Sequence, residues 1–207
     1  MKNSWLQNIE LKGEIARLVP LEKSHRDALI DAASDGKLWE LWYTSVPSPE
    51  TIDEYIAQAL QQKAAKASQP FVIIDNLTGK IVGSTRYCNV AKEHKRLEIG
   101  FTWYAKSAQR TGINRECKLL MLSHAFEKMG CICVQFKTDW FNQASRNAIA
   151  RLGAKQDGIL RNDRLNADGT YRDTVVFSII NQEWHGVKKN LLHQMKNYKE
   201  QKEKPLD

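Results

Sequence analysis

Between residues 96 and 139 the spacing of apolar residues changes twice, and this change restricts the fold more than any other feature of the chain. "RLEIGFTWY" (96–104) has the composition of a strand. Leu119, Leu122, Phe126 and Met129 then recur at helical spacing and mark one buried stripe, which Gly130 ends. "CICVQFKTD" (131–139) begins as a nearly continuous apolar run, as in a central strand covered on both faces. Strand, helix and strand in that order give parallel neighbours, because the chain must cross back over the sheet before the second strand starts.

The flanking segments add antiparallel pairs. "FVIID" (71–75), the turn "NLTG" and "KIVGSTRYCNV" (80–90) form a hairpin by pattern, and "NADGT" (166–170) separates two final strands that end in "DTVVFSII" (173–180). "EIARLVPL" (14–21) reads as a first strand. A helical stretch from Ser24 to about Gly36 follows, then a second helix in "SPETIDEYIAQALQQKAAKA" with Ser48 as N-cap and Pro49 in its first turn. A shorter helix carries Ala144, Ala148, Ile149 and Leu152 and stops at Gly153. The order is strand, two helices, three strands, helix, strand, helix, two strands. It predicts an α/β (α+β) domain with a single mixed, mostly antiparallel sheet flanked by helices. At 207 residues with 42% hydrophobic content, one such domain with a short appendage accounts for the chain and disorder throughout is excluded.

Charge marks the appendage. Of the net +7, six lysines (188, 189, 196, 199, 202 and 204) against Glu200, Glu203 and Asp207 contribute +3. The domain is therefore taken as 1–185 and the basic C-terminal tail as 186–207, a solvated or frayed segment. The first residues lack a signal peptide's apolar core and no run is long enough to span a membrane, so a cytoplasmic location is expected. Cys131 and Cys133 alternate on one strand face with no second pair at zinc-like spacing, which predicts buried free thiols and no metal.

The junction between strand and helix, "AQRTGINREC" (108–117), is rich in donors. A helix starting near Gly112–Arg115 leaves its first N–H groups without internal partners, and its dipole adds partial positive charge. Gly112 permits close backbone approach, and Gln109 and Arg110 add side-chain donors. Such a loop holds an anion or is simply a loop, and the residues alone leave both readings open. No Gly-x-x-x-x-Gly-Lys-Ser/Thr run and no Gly-x-Gly-x-x-Gly run offers another phosphate site.

"LEIGFTWYAKSAQRTGINRECKLLMLSHAFEKMG" and "FKTDWFNQASRNAIARLGAKQDGILR" closely resemble the GCN5-related N-acetyltransferase (GNAT) superfamily, and within it the ribosomal-protein N-terminal acetyltransferase (RimJ/RimL-like) branch. The resemblance covers roughly residues 10–185 and is dense from 97 to 180. It implies splayed central strands that form an acetyl-CoA cleft. The pyrophosphate loop maps onto Gln109, Arg110, Thr111, Gly112, Ile113 and Asn114, where Asn114 replaces the family's usual Gly or Ala. The pantetheine-binding strand maps onto Phe101, Thr102, Trp103 and Tyr104, with Gly100 marking a bulge. Asn142 matches the side chain that reaches the pantetheine arm; it also reads as a helix N-cap, and the two roles are compatible.

The same resemblance implies direct attack by a primary amine on the thioester, with an oxyanion donor at the N–H of Phe101 or Thr102. Glu98 is the candidate base, with a surface carboxylate paired to Lys95 or Arg96 as the alternative. Ser145, in an Asn-x-x-Ser pattern, is the candidate acid. Other branches carry a tyrosine where this chain has Ile149, so that version of the acid does not transfer, and Tyr171 is the fallback. Trp39, Trp42 and Tyr43, in the connection between the first two helices, are candidate substrate contacts, and Asp139 is read as orienting the loop that carries Asn142. The expected acceptor is a protein or peptide N-terminus, with ribosomal proteins among the candidates. The same scaffold also serves small amines such as polyamines, amino acids and antibiotics. The rival from another class is a non-catalytic acetyl-CoA-binding or RNA-binding protein, although no nucleic-acid motif supports the latter.

Overall fold

A computed structural model describes residues 5–166 and 168–203. The hairpins and crossovers build one sheet from β1 (Leu11–Lys12), β2 (Ala16–Pro20), β3 (Gln69–Asp75), β4 (Ile81–Ala91), β5 (Arg96–Tyr104), β6 (Cys133–Asp139), β7 (Lys155–Leu165) and β8 (Tyr171–Ile180). Their spatial order is β1-β2-β3-β4-β5-β6-β8-β7. All neighbours are antiparallel except β5 and β6, which the intervening helix makes parallel. The mixed, mostly antiparallel sheet expected from the sequence is the one observed.

The helices are α1 (Arg26–Ser34), α2 (Ile52–Ala64), α3 (Ile113–Ser123), α4 (Gln143–Arg151) and α5 (Asn181–Glu203). Tyr55 of α2 reaches Ser84 of β4, whereas Lys118 of α3 reaches Thr85, so α2 and α3 cover opposite faces. Phe71, Ile73, Leu97, Val134, Phe136 and Phe177 are buried between the layers. The end of α3 widens to π geometry over His124–Lys128 before Gly130 turns the chain at a φ of 68°. Ser48 does not cap α2. Its N–H donates to Thr51 Oγ1, residues 48–51 close a separate turn, and the helix begins at Ile52. All four cysteines are free.

Composition places a boundary at 186, but α5 runs through it. Trp184, Val187 and Leu191 are buried, Trp184 stacks on Phe126, and α5 lies along α3. The basic segment is therefore helical and anchored along its first turns; residues 204–207 lie outside the described residues. Among the described residues no helix is long and apolar enough to cross a membrane.

One buried carboxylate ties α3 to the sheet. Glu116 Oε1 accepts the N–H of Glu14 at 2.9 Å, and Oε2 accepts those of Ile15 and Ala16 at 2.8 and 2.7 Å. A Cβ on Gly13 would lie 2.5 Å from Oε2, so this approach requires glycine. Charge-assisted bonds of this kind are strong, and removing the acceptor strands three amides. Glu116→Ala is expected to lower the unfolding free energy by about 3–5 kcal/mol in urea titrations. Glu116→Gln, which keeps an acceptor oxygen, should lose less; equal losses would mean that the hydrogen bonds are not what matters.

Candidate functional site

β5 and β6 are bonded only through Arg96, Leu97 and Glu98 against Cys133, Val134 and Gln135. Beyond that point β6 keeps β8 as its partner as far as Asp139, and β5 keeps β4. Among the described residues no ladder joins Ile99–Tyr104 to Phe136–Asp139, so the two strands part and their facing edges open a cleft. On its other side β5 carries one extra residue: Ser84 pairs with Trp103 but Arg86 pairs with Gly100. Phe101 takes up the slack at a φ of 51°, a conformation unusual for a bulky residue. The bulge disturbs the ladder at the residues where an oxyanion donor is expected.

In the expected pantetheine strand the side chains of Thr102 and Trp103 are committed elsewhere. Thr102 Oγ1 lies 2.7 Å from both Thr85 Oγ1 and Lys118 Nζ, and the buried Trp103 indole N–H donates to Tyr55 Oη at 3.4 Å. What β5 offers the cleft here is backbone, together with the exposed ring of Phe101.

After Tyr104 the chain turns through the predicted loop into α3. Gln109 Nε2 donates to the Tyr104 carbonyl at 3.1 Å and Thr111 Oγ1 to that of Ala108 at 2.6 Å. These two side chains therefore brace the loop. Arg110 and Gly112 both adopt positive φ, 64° and 89°, which folds the loop back ahead of the helix. Gly112 is the N-cap without a side-chain cap, Ile113 begins α3 and is buried, and Asn114 is half-buried. The first α3 N–H groups are left without intrahelical partners, as at any helix start. Tyr198 of α5 packs here, 3.0 Å from where a Gly112 Cβ would stand, and Arg115 donates to the Gln194 carbonyl at 3.3 Å. The basic helix thus packs against the start of α3 and the loop before it.

Glu98 lies on the sheet face that Tyr55 of α2 covers, 6% exposed. Its Oε2 accepts from Asn89 Nδ2 at 2.8 Å and pairs with Lys137 Nζ at 3.4 Å. The alternative partners Lys95 and Arg96 are not the ones used. A Cβ on Gly100 would sit 2.9 Å from Glu98 Oε1, so the glycine leaves room for the carboxylate. Beside it Arg172 pairs with buried Asp139 at 3.6 Å, and burial pulls the Arg172 pKa down. Asp139 Oδ1 accepts the Phe141 N–H at 2.8 Å and its carbonyl accepts that of Asn142, fixing the loop as expected.

Asn142 Oδ1 accepts the Ser145 N–H at 2.9 Å, so the N-cap role is observed and the amide NH2 group remains available. Ser145 is half-buried in the first turn of α4. Trp39 packs on the core. Trp42 is exposed and lies 5.6 Å from the Tyr43 ring and 5.4 Å from Phe141, which brings the α1–α2 connection to the β6–α4 corner. Tyr171 is exposed at the start of β8. Among the described residues no group of three His, Cys, Asp or Glu side chains is placed to hold a metal.

Sequence reasoning missed Arg86, Lys118, Lys137 and Phe141. A charge inside an otherwise apolar pattern was the available signal for the first two. Lys118 is buried between Cys117 and Leu119, donates to the bulge residue Thr102, and is pulled down to about 8 by burial.

The Acetyltransferase (GNAT) domain family matches residues 16–155. The candidate ribosomal N-acetyltransferase YdaF of Bacillus subtilis (strain 168) is 29% identical over 110 residues, 53% of this chain and 59% of that protein. The chain thus spans about three fifths of the length of the curated relatives it matches. A candidate acetyltransferase from T. thermophilus superposes with a TM-score of 0.80 at 31% identity, covering 92% of this chain and 98% of that one. A fold likeness at 18% identity and a TM-score of 0.73 links 83% of the chain to 99% of a Salmonella typhimurium acetyltransferase, one that modifies the N-terminal serine of ribosomal protein L7/L12.

Lys118 makes a pH-dependent prediction. With its folded pKa below the unfolded 10.5, the native state binds fewer protons than the unfolded state between about pH 8 and 10.5. Its burial penalty is therefore full below about 8 and fades above. The buried thiols Cys88 and Cys117, pushed up to about 12, act the other way but are common to wild type and variant. Lys118→Met is expected to be favoured over wild type more at about pH 7 than at about pH 10, by roughly 2–3 kcal/mol in urea unfolding. A difference independent of pH would contradict a lysine held in this state.

Proposed function

The chain belongs to the GNAT acetyltransferase family, and from that premise we propose that it moves the acetyl group of acetyl-CoA onto the primary amine of a protein or peptide N-terminus by direct attack. The observation that carries this reading is the parting of β5 and β6 beyond Glu98, with the N-terminus of α3 beyond the end of the opened β5. An extended, amide-bearing arm fits between two strand edges that have lost each other, and a pyrophosphate suits a loop with two left-handed residues before a helix start.

In this reading the free edge of β5 after Phe101 aligns the pantetheine arm, helped by the Asn142 amide. Residues 109–114 receive the pyrophosphate, chiefly through backbone N–H groups, since the Gln109 and Thr111 side chains brace the loop. The N–H of Phe101 or Thr102 at the bulge stabilises the oxyanion. Glu98 removes a proton from the incoming ammonium, directly or through one water. Asn89 and Lys137 hold its Oε2, which leaves Oε1 toward the space that Gly100 vacates. Ser145 lies toward the sulfur and assists the departing thiolate. Trp42 and Phe141 flank the acceptor's approach. The YdaF and Salmonella names support a ribosomal-protein acceptor, in keeping with a cytoplasmic location.

Mass spectrometry of a mixture of protein, acetyl-CoA and two amine panels tests the reaction. One panel holds peptides with varied N-termini, the other polyamines, amino acids and aminoglycosides. Acetylated peptides are expected; acetylated small amines alone would move the acceptor to metabolism or detoxification. No product, with acetyl-CoA bound, would favour a sensor.

Gly112→Glu is expected to weaken acetyl-CoA binding at least tenfold (about 1.4 kcal/mol) by calorimetry, with Gly112→Ala as the control for strain at positive φ. Unchanged affinity in Gly112→Glu would remove the loop assignment. Glu98→Gln is expected to lower kcat about 100-fold near neutral pH and less as pH rises toward the acceptor's own pKa. A pH-independent ratio to wild type would remove Glu98 as the base.

A further inference from the structure

Arg86 stands in the middle of β4 opposite Gly100, beside the bulge and on the face that carries Glu98. Its side chain is wholly buried, and among the described residues nothing accepts a hydrogen bond from its Nε, Nη1 or Nη2. A guanidinium does not shed its proton in a protein, and it presents five N–H donors in its own plane. Burying such a group without an anion or acceptor is strongly unfavourable.

Two rings flank the group. The guanidinium carbon lies 4.4 Å from the centroid of Tyr55 and 4.3 Å from that of Phe101. Rings stabilise a cation through their π faces, but they accept nothing from the in-plane donors. Glu98, on this face, is held through its Oε2 by Asn89 and Lys137 and accepts no hydrogen bond from Arg86. Asp139, further across the sheet, is paired with Arg172.

The two walls differ. Tyr55 is fixed by hydrogen bonds to Ser84 and Trp103. Phe101 is 39% exposed and sits on the positive-φ residue of the bulge, so one exposed ring covers the guanidinium from the solvent side. Displacing that ring exposes an in-plane fork matched to a carboxylate. Arg86 pairs with Gly100, two residues along β5 from Glu98, a separation of about 7 Å along the strand.

We propose that Arg86 is the acceptor anchor of this site, taking a carboxylate that the acceptor carries a few bonds from its reacting amine, with Phe101 as the movable cover. The inference rests on the acetyl-transfer reading, with Glu98 at the amine. A carboxylate a few bonds from the amine comes from an Asp or Glu side chain at the first or second position of a peptide, or from a free acidic amino acid. Tyr55 orients the guanidinium, and with Lys137 balanced by Glu98 and Arg172 by Asp139, the charge of Arg86 is the unbalanced one among these five groups.

Paired acceptors test it: peptides beginning Glu or Gln, peptides beginning Ser-Glu or Ser-Gln, and free glutamate or glutamine, each with acetyl-CoA. In at least one pair kcat/KM for the carboxylate is expected to exceed that for the amide at least tenfold, and the pair that responds identifies the source. Arg86→Met should cut the preference below about twofold with unchanged acetyl-CoA affinity, and Arg86→Lys should leave an intermediate preference. No carboxylate preference in wild type, or a preference that survives in Arg86→Met, would overturn the proposal. Thermal unfolding with the N-acetylated Glu and Gln peptides supplies a readout free of turnover. The Glu product should raise the wild-type Tm above the Gln product's effect, and not that of Arg86→Met. Equal shifts would again overturn the proposal. Transfer without preference would leave the proposed reaction standing and remove the anchor; a selective Tm shift without transfer would do the reverse. The wild-type comparisons decide even if neither variant folds.

Discussion

Three residues of β5 are bonded in parallel to three of β6, and the pairing stops at Glu98. Neither strand is free to close the gap. β6 is fully engaged by β8 on its far side, and β5 is held by β4 through a ladder that the bulge at Phe101 locally disrupts. Backbone polar groups along a sheet must find partners, so two facing edges without a common ladder create a demand for an extended polar ligand or water. The helix that makes β5 and β6 parallel also places its own N-terminus beyond the end of β5. One topological decision thus opens the gap between the strands and sets a helix N-terminus at its end. The buried Glu116 carboxylate holds α3 against the start of β2 and keeps that N-terminus in place.

The polar groups near the gap divide by face. On the α3 side, Lys118, Thr85 and Thr102 form a closed cluster beneath the bulge. On the α2 side, Glu98, Lys137, Asp139 and Arg172 form two ion pairs, with Arg86 under its rings beside them. Buried charges of this density contribute little net stability, because desolvation offsets most of the attraction between them. Their concentration around one opening supports the proposed site, where a proton must be handled and an amine oriented.

The sequence announced the fold through its local signals. Hairpin turns, the crossover with its helical stripe, and Gly130 and Gly153 as stops all act within a few residues of themselves, and the structure contains them. Gly112 and Asn142 were legible for the same reason: a positive φ before a helix and an N-cap are local requirements. The Glu98–Lys137 pair was not legible, because it joins strands separated by a whole crossover and depends on their register. Alternation along β4 puts Arg86 on the same face as Ser84, but the Phe101 ring that covers it comes from the bulge in the neighbouring strand, which nothing within β4 encodes. The first turn of α2 was misplaced because Thr51, three residues on, accepts the N–H of the residue expected to cap. The lysine count disguised α5, whose contact face (Trp184, Val187 and Leu191) is sparse among charges.

The central claim is that the gap between β5 and β6 and the start of α3 act together as one acetyl-CoA site. A 15N NMR titration of the whole chain with acetyl-CoA tests it most directly. The account predicts that the largest amide shifts fall on Phe101–Tyr104 and on residues 110–115, with the side-chain amide of Asn142 responding and β1–β3 unchanged. Saturable shifts centred elsewhere, or shifts at the α3 loop with none along β5, would contradict it.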